Sequence, residues 1–417
     1  MTPQPAIREA PGVGSYLETD PVADFYTRHP YPPPVENLDR ARDEWRDGTR
    51  ERAEFHLYWP AERFRQDLDI LVAGCGTWQA AKYALCRPAA RVVGIDVSAT
   101  SIEHTAKLAR KYALANLEIE QVPLERVGEL GRRFDLVVCT GVLHHLADPA
   151  AGLGALAQVL KPAGAVNLMV YAPHGRAGVY LLQEFCRRLG IGTSDREIDD
   201  LVETLSCLPR QHPLAATLRA ARDAANADAL ADALLNPRDR AYTVPQVFDL
   251  LERCDLAFAR WYAQAPYLSR CGSVATTPHA TRLAELPDRE QYAAMELWRG
   301  VMTCHSVVAH RRDARRQNAG IHFDEPVWKN FVPHRLPWTK VVTERIPAGA
   351  AAVLINQSHA FEDLFLVLRR IDRKMFERID GRRSIAQIAA DADANDAGRV
   401  RELFESLWRY DHVVFER

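Results

Sequence analysis

Two glycines and one aspartate carry the clearest chemical signal in this 417-residue chain. In Ile70-Leu71-Val72-Ala73-Gly74-Cys75-Gly76-Thr77-Trp78 an apolar, strand-like run ends in a Gly-x-Gly turn and leads into the helix-like stretch QAAKYALC. Such a turn lets backbone approach a ligand closely, and the start of the helix offers unpaired N–H groups. Further on, at the end of the next apolar run, Asp96 stands in VVGIDVS. A carboxylate placed there can accept hydrogen bonds from both ribose hydroxyls of an adenosine-containing ligand. A nicotinamide or flavin dinucleotide would require a third glycine in GxGxxG, so that helix and strand pack closely. Here that position is Gln79, and the bulky Trp78 occupies the helix start. Both features argue against a dinucleotide.

Other side chains able to do acid–base work or bind a substrate cluster in three places. His144 and His145 follow the apolar run FDLVVCTG. Tyr26, His29 and Tyr31 lie in Asp24-Phe-Tyr-Thr-Arg-His-Pro-Tyr-Pro-Pro-Pro34, whose prolines predict a stiff extended segment instead of a helix. Tyr171, His174 and Arg176 follow AVNLMVYA. The eight cysteines are scattered, with no CxxC pair. Cys75, Cys139, Cys186 and Cys271 would have to converge to hold a soft acceptor, and no ligand spacing supports a metal site.

The elements that must position these residues alternate in type. DILVAG, RVVGIDV, LEIEQV (117–122), FDLVVCTG (134–141) and AVNLMVYA (165–172) read as strands, separated by helix-length segments. AFARWYAQ (257–264) and HSVVAHR (305–311) are candidates for two more. This pattern predicts an α/β fold, a doubly wound, Rossmann-like sheet of about seven strands with helices on both faces. Between about 175 and 240 the text turns Ala- and Leu-rich, which predicts a helical insertion. The expected organisation is a flexible N-terminal arm (1–20), a core domain (21–312), a charged linker (313–320) and a C-terminal domain (321–417).

Hydrophobic residues make up 47% and charged residues 26% of the chain, as in an ordinary globular protein. A formal net charge of −2 provides no basic field for general nucleic-acid or membrane binding. No apolar run approaches the ~18–20 residues that span a bilayer, and the first residues lack a secretory pattern. Reduced thiols in the cytoplasm are the expected state.

The order Gly74-Cys75-Gly76-Thr77, Ile95-Asp96-Val97-Ser98, Phe134-Asp135-Leu136-Val137-Val138, Gly141-Val142-Leu143-His144-His145-Leu146 and Leu160-Lys161-Pro162-Ala163-Gly164 resembles class I S-adenosylmethionine-dependent methyltransferases. The resemblance is tight over about 60–172 and looser over about 20–312. It implies S-adenosyl-L-methionine as the cofactor. Ala73, Gly74, Cys75 and Gly76 would line its methionine and ribose end, Asp96 would hold the ribose diol, and Val97 would pack on the adenine. The loop Val122-Pro123-Leu124 would hold the other adenine face, and Thr140 and Gly141 would sit beside the sulfonium. Three positions depart from the family: Val72 and Val122 replace acidic residues, and Trp78 replaces a glycine. Gln79 is the candidate for a replacement polar contact.

Methyl transfer is an in-line displacement that depends mainly on alignment, with a base required only where the acceptor carries a proton. His144, His145 and Tyr31 are the candidate catalytic residues. Tyr26, Tyr31, Tyr171, His174 and Arg176 are the candidate substrate contacts, with the proline-rich arm suited to close over the site. The C-terminal pattern Met375-Phe376-x-x-Ile379-Asp380-Gly381-x-x-Ser384-Ile385-x-x-Ile388 resembles small winged-helix peptide-binding domains. It implies an α+β module that binds a peptide, a protein or a second copy of the chain as a homodimer. Three readings follow: a methyltransferase acting on a small molecule, one acting on a peptide or protein recruited by the C-terminal domain, and a non-catalytic cofactor-binding scaffold or sensor.

Overall fold

A computed structural model of the chain describes residues 7–9, 20–215, 218, 227–314, 320–324 and 326–417. The expected N-terminal arm falls mostly outside these residues, as do parts of the insertion and most of the linker. The strands are β1 (Ile7–Glu9), β2 (Asp69–Ala73), β3 (Arg91–Asp96), β4 (Leu117–Gln121), β5 (Phe134–Thr140), β6 (Leu160–Tyr171), β7 (Leu256–Trp261) and β8 (Cys304–Arg311). They form one eight-stranded sheet in the order β1-β4-β3-β2-β5-β6-β8-β7. The seven strands expected from apolar runs are all present, and β1 pairs in parallel with β4 at the edge.

The pairings β4–β3, β3–β2, β2–β5 and β5–β6 are parallel. Ile70, Leu71, Val72 and Ala73 of β2 are fully buried, because a parallel strand at the centre of a doubly covered sheet presents both faces to helices. The strand order reverses between β2 and β5, which opens a crevice at their carboxyl ends.

Helix starts are set locally. Ser98 caps Ala99–Lys111 by accepting from the Ser101 N–H. Asp148 caps Pro149–Gln158 by accepting from the N–H groups of Ala150 (3.0 Å) and Ala151 (3.1 Å). The insertion is helical in its described part. Ala177–Leu189, Asp195–Ser206 and Ala227–Leu235 bury a shared stripe that includes Val179, Leu182, Leu201, Leu205, Leu230 and Leu234.

One expectation is corrected. Asp24 to Arg28 are not extended but belong to a helix, Pro21–Arg28. Pro21 stands in its first turn, where a missing N–H costs nothing, and Asp20 accepts from the Val22 N–H. Pro30 and Pro32–Pro34 lie beyond its C-cap, His29, so they end the helix without preventing it. Tyr26 is therefore a helical residue, and only Tyr31 lies in the proline-rich stretch.

The chain divides into two compact units. The first comprises 1–43, 66–256 and 300–306, and the second 44–65, 257–299 and 307–417. In the second unit β9 (Val332–Arg335) pairs antiparallel with β13 (Val413–Glu416). A three-stranded antiparallel sheet contains β10 (Thr339–Val342), β11 (Ala352–Asn356) and β12 (Phe365–Leu368). Helices Arg370–Glu377, Ile385–Asp391 and Ala397–Arg409 follow, and their apolar faces meet around Phe331, Met375, Ile388, Phe404 and Phe415. The fully buried Asp411 accepts from Arg260 Nη2 at 2.6 Å and from the N–H groups of Gln264 and Ala265. That carboxylate ties residues 257–299 to the end of the chain within this unit.

Candidate cofactor and acceptor site

The crevice at the ends of β2, β3, β5 and β6 is a cavity of about 300 Å³ within the first unit. Its floor is the glycine turn. Gly74 (φ +69°) and Gly76 (φ +55°) are left-handed, and the N–H groups of Gly74 and Cys75 both donate to the Ile95 carbonyl at 2.9 Å. A Cβ on Gly74 would lie 2.2 Å from Val142 Cγ2, and one on Gly76 would lie 2.9 Å from Pro32 Cδ. Asp96 receives the Gly76 N–H at Oδ2 (2.8 Å) and the Ser98 N–H at Oδ1 (2.9 Å). Burial raises its pKa above the usual carboxylate value, and the backbone donors offset this only in part.

Of the expected cofactor contacts, Gly74, Cys75, Gly76, Gln79, Asp96, Val97, Val122, Leu124, Thr140 and Gly141 line the cavity. Ala73 does not, being fully buried in β2, and Pro123 instead caps the 3₁₀ turn Leu124–Leu130. Val72 is likewise fully buried in its strand. Gln79 Nε2 donates to Thr140 Oγ1 at 2.9 Å, so a neutral polar pair stands where β2 and β5 diverge. Cys75 is a protonated thiol, held well above its ordinary pKa by burial, and burial pushes Cys139 up to about 12.

The opposite wall is aromatic and polar. Thr77 Oγ1 donates to the Pro32 carbonyl at 2.7 Å, which lays Tyr31 and Pro32 across the glycine turn. Ser98 Oγ donates to the Tyr26 carbonyl (3.0 Å) and anchors the helix that carries Tyr26. The Tyr26 hydroxyl donates to Asp232 Oδ1 at 2.7 Å and accepts from Asn236 Nδ2 at 3.0 Å. Burial raises the pKa of both Tyr26 and Asp232. His145 Nδ1 donates to the Arg238 carbonyl at 2.5 Å, which fixes the tautomer and leaves Nε2 as an acceptor. That Nε2 is buried and has no hydrogen-bond partner, and the residue lines the cavity.

The remaining expected residues separate. Tyr26, Tyr31 and Tyr171 line the cavity, whereas His144, His174 and Arg176 do not. His144 stacks on Tyr171 with ring centroids 3.8 Å apart, and burial holds it neutral, well below its ordinary pKa. His174 is exposed. Arg176 lies 3.6 Å over the Tyr171 ring and is paired with Asp239 at 2.7 Å. Asp232 was absent from the sequence-based candidates. Its only signal was an acidic residue on the apolar face of the helix Ala227–Leu235, beside the buried Leu230, Ala231 and Leu234.

Known proteins resemble this region. A family model described as a methyltransferase domain matches residues 71–166. An uncharacterised protein of Synechococcus sp. is 34% identical over 169 residues, 40% of this chain and 40% of its own length. A ubiquinone biosynthesis O-methyltransferase of Alkalilimnicola ehrlichii is 32% identical over 161 residues, 36% of this chain and 63% of its own length. The chain thus spans less than two thirds of the length of either relative. Among solved structures, PKMT2 from Rickettsia typhi, also determined in complex with AdoHcy, superposes with a TM-score of 0.63. It is 16% identical, with 93% of this chain and 77% of that one covered, and so shares the fold. The cavity fits the same cofactor: a carboxylate ends β3, and the glycine turn leaves no room for a Cβ. The chain carries a class I S-adenosylmethionine-dependent methyltransferase domain, and S-adenosylmethionine is its cofactor.

Proposed function

We propose that the protein is a methyltransferase that moves a methyl group by in-line displacement onto a hydroxyl of a small-molecule acceptor held in this same cavity. One observation carries the reading: His145, whose buried Nε2 has no hydrogen-bond partner, is a lining residue of the cavity that Asp96 and the glycine turn also line. When bound, the cofactor supplies an electrophilic methyl on a sulfonium. Asp96 would hold the ribose hydroxyls, Val97 and Leu124 would flank the adenine, and Thr140 with Gln79 would sit near the sulfur. Tyr31 and Pro32 would exclude water, and Tyr26 with Asp232 would orient the acceptor by hydrogen bonds. His145 Nε2 would take the hydroxyl proton as the oxygen attacks. The O-methyltransferases among the relatives support an oxygen acceptor.

The test is transfer of labelled methyl from S-adenosylmethionine into cell extract, with products separated by size. Label in the low-mass fraction is expected. Calorimetry should show binding of S-adenosylmethionine and S-adenosylhomocysteine; no heat from either, with tight binding of a nicotinamide cofactor, would overturn the reading.

A second reading rests on the C-terminal segment 321–417, read as a winged-helix-like module. Its helix, Asp380-Gly381 turn, helix, helix, strand order supports that reading, and Ile355, Phe365 and Val367 are exposed on its small sheet. Such a face suits a peptide or protein acceptor, or a second copy of the chain. Label confined to protein, and abolished by truncation at residue 320, would favour it. Among the described residues no helix is long and apolar enough to cross a membrane. A cytoplasmic location, with free thiols, is part of the proposal.

A further inference from the structure

The second unit brings together three side chains that no part of the proposed reaction uses. His334 on β9 and Glu416 on β13 lie on one face of that antiparallel pair, since His334 is registered with Val414 and Glu416 is two residues further along. His56, on the last turn of the helix Thr49–Tyr58, packs over the same face. Its ring stacks on that of His334, with centroids 4.9 Å apart and planes 21° from parallel. Both histidines are nearly inaccessible, at 2% and 3%. The Nε2 atoms of both are buried without any hydrogen-bond partner. Two unpaired imidazole nitrogens in one small space are costly, because each forfeits hydration for nothing.

Each of these nitrogens lies close to the Glu416 carboxylate. His56 Nε2 lies 3.3 Å and His334 Nε2 lies 3.4 Å from the same oxygen, Oε2. These separations exceed the ~2.7–3.2 Å of a good N–H···O bond. They match the spacing of neighbouring ligands around a tetrahedral zinc ion, where bonds of ~2.0–2.1 Å place donors roughly 3.3–3.4 Å apart. All three ligand atoms lie within 4.8 Å of one another. We propose that His56, His334 and Glu416 form a binding site for one zinc ion, with a fourth position open to water.

Three surrounding features suit that role. His56 Nδ1 donates to the Trp59 carbonyl at 3.3 Å, which fixes the tautomer whose Nε2 lone pair faces the site. Both rings are nearly inaccessible, and such burial favours the neutral imidazole that coordinates a metal. Glu416 is 28% accessible, which gives an ion a way in and a solvent-facing coordination position. Arg52 Nη1, 3.8 Å from Glu416 Oε2, is the one cation close to this carboxylate among the ion pairs of the described residues, and it steadies the carboxylate from outside. The ligand set, two imidazoles and one carboxylate, is of the kind that zinc accepts while keeping one site open. An ion there would clamp the helix Thr49–Tyr58 to both strands of the pair.

The test uses the full chain without a polyhistidine tag, stripped with a chelator and titrated with zinc against a chromophoric competitor. One zinc ion per chain is expected, together with a rise in Tm and, for cobalt in place of zinc, the intense visible bands of a four-coordinate centre. Glu416→Gln should weaken zinc at least tenfold, and His334→Asn should abolish stoichiometric binding and the Tm rise. Retained calorimetric binding of S-adenosylhomocysteine would show that these variants are folded. The proposal is overturned if the wild-type chain takes up no stoichiometric zinc at micromolar concentration, or if folded His334→Asn and Glu416→Gln bind it as the wild type does.

Discussion

At the scale of single residues, the tasks proposed for the two sides of the cavity are separable. Asp96 accepts from two backbone N–H groups and has lone pairs left for a diol. Asp96→Ala should weaken S-adenosylhomocysteine at least tenfold, about 1.4 kcal/mol, by calorimetry. The His145 ring makes a hydrogen bond to the Arg238 carbonyl, which is not part of the cavity lining. His145→Asn should lower kcat by about 100-fold or more while leaving the S-adenosylhomocysteine Kd unchanged, which steady-state kinetics and calorimetry together would show. A matching loss of affinity would assign His145 to cofactor binding instead. The glycines and Asp96 were legible in the sequence because their spacing is local to one strand–turn–helix–strand unit. Asp232 was not, since it reaches the cavity from the insertion, and neither was the position of His144 outside the cavity lining, with its ring stacked on Tyr171.

At the scale of elements, apolar runs predicted each of the seven strands that they were read for, because buried parallel strands have few polar interruptions. The helix Pro21–Arg28 escaped notice because prolines crowd its far end, while its own cap, Asp20, and its first-turn proline are favourable signals. Caps make a measurable contribution here. Asp148 satisfies two N–H groups at the start of Pro149–Gln158, the helix that follows the His144–His145 turn. Asp148→Ala should cost about 1 kcal/mol in urea-induced unfolding, with an unchanged m-value. The ligand cluster of the second unit was invisible for a different reason. Residues 56, 334 and 416 share no local spacing, and only the register of β9 with β13 sets two of them side by side.

At the scale of the whole molecule, stability depends on imidazoles kept neutral by burial. His412 is fully buried, and its pKa is pushed down to about 3, by desolvation first and then by the neighbouring His359. Its folded pKa lies below the unfolded value of ~6.5, so the stability it contributes is complete above that value and is lost as pH falls toward 3. Between pH 7.5 and pH 5 the loss from this residue is about 2 kcal/mol, and His412→Asn should flatten that part of the dependence in urea melts followed by tryptophan fluorescence. The bond from Thr77 to the Pro32 carbonyl has a consequence in time as well as in space. With Tyr31 and Pro32 seated across the glycine turn, this bond holds one wall of the cavity in place, and the expected result is that it lengthens the residence time of spent cofactor. Thr77→Val should shorten that residence time in stopped-flow displacement experiments, raising turnover wherever release, and not methyl transfer, is the slow step.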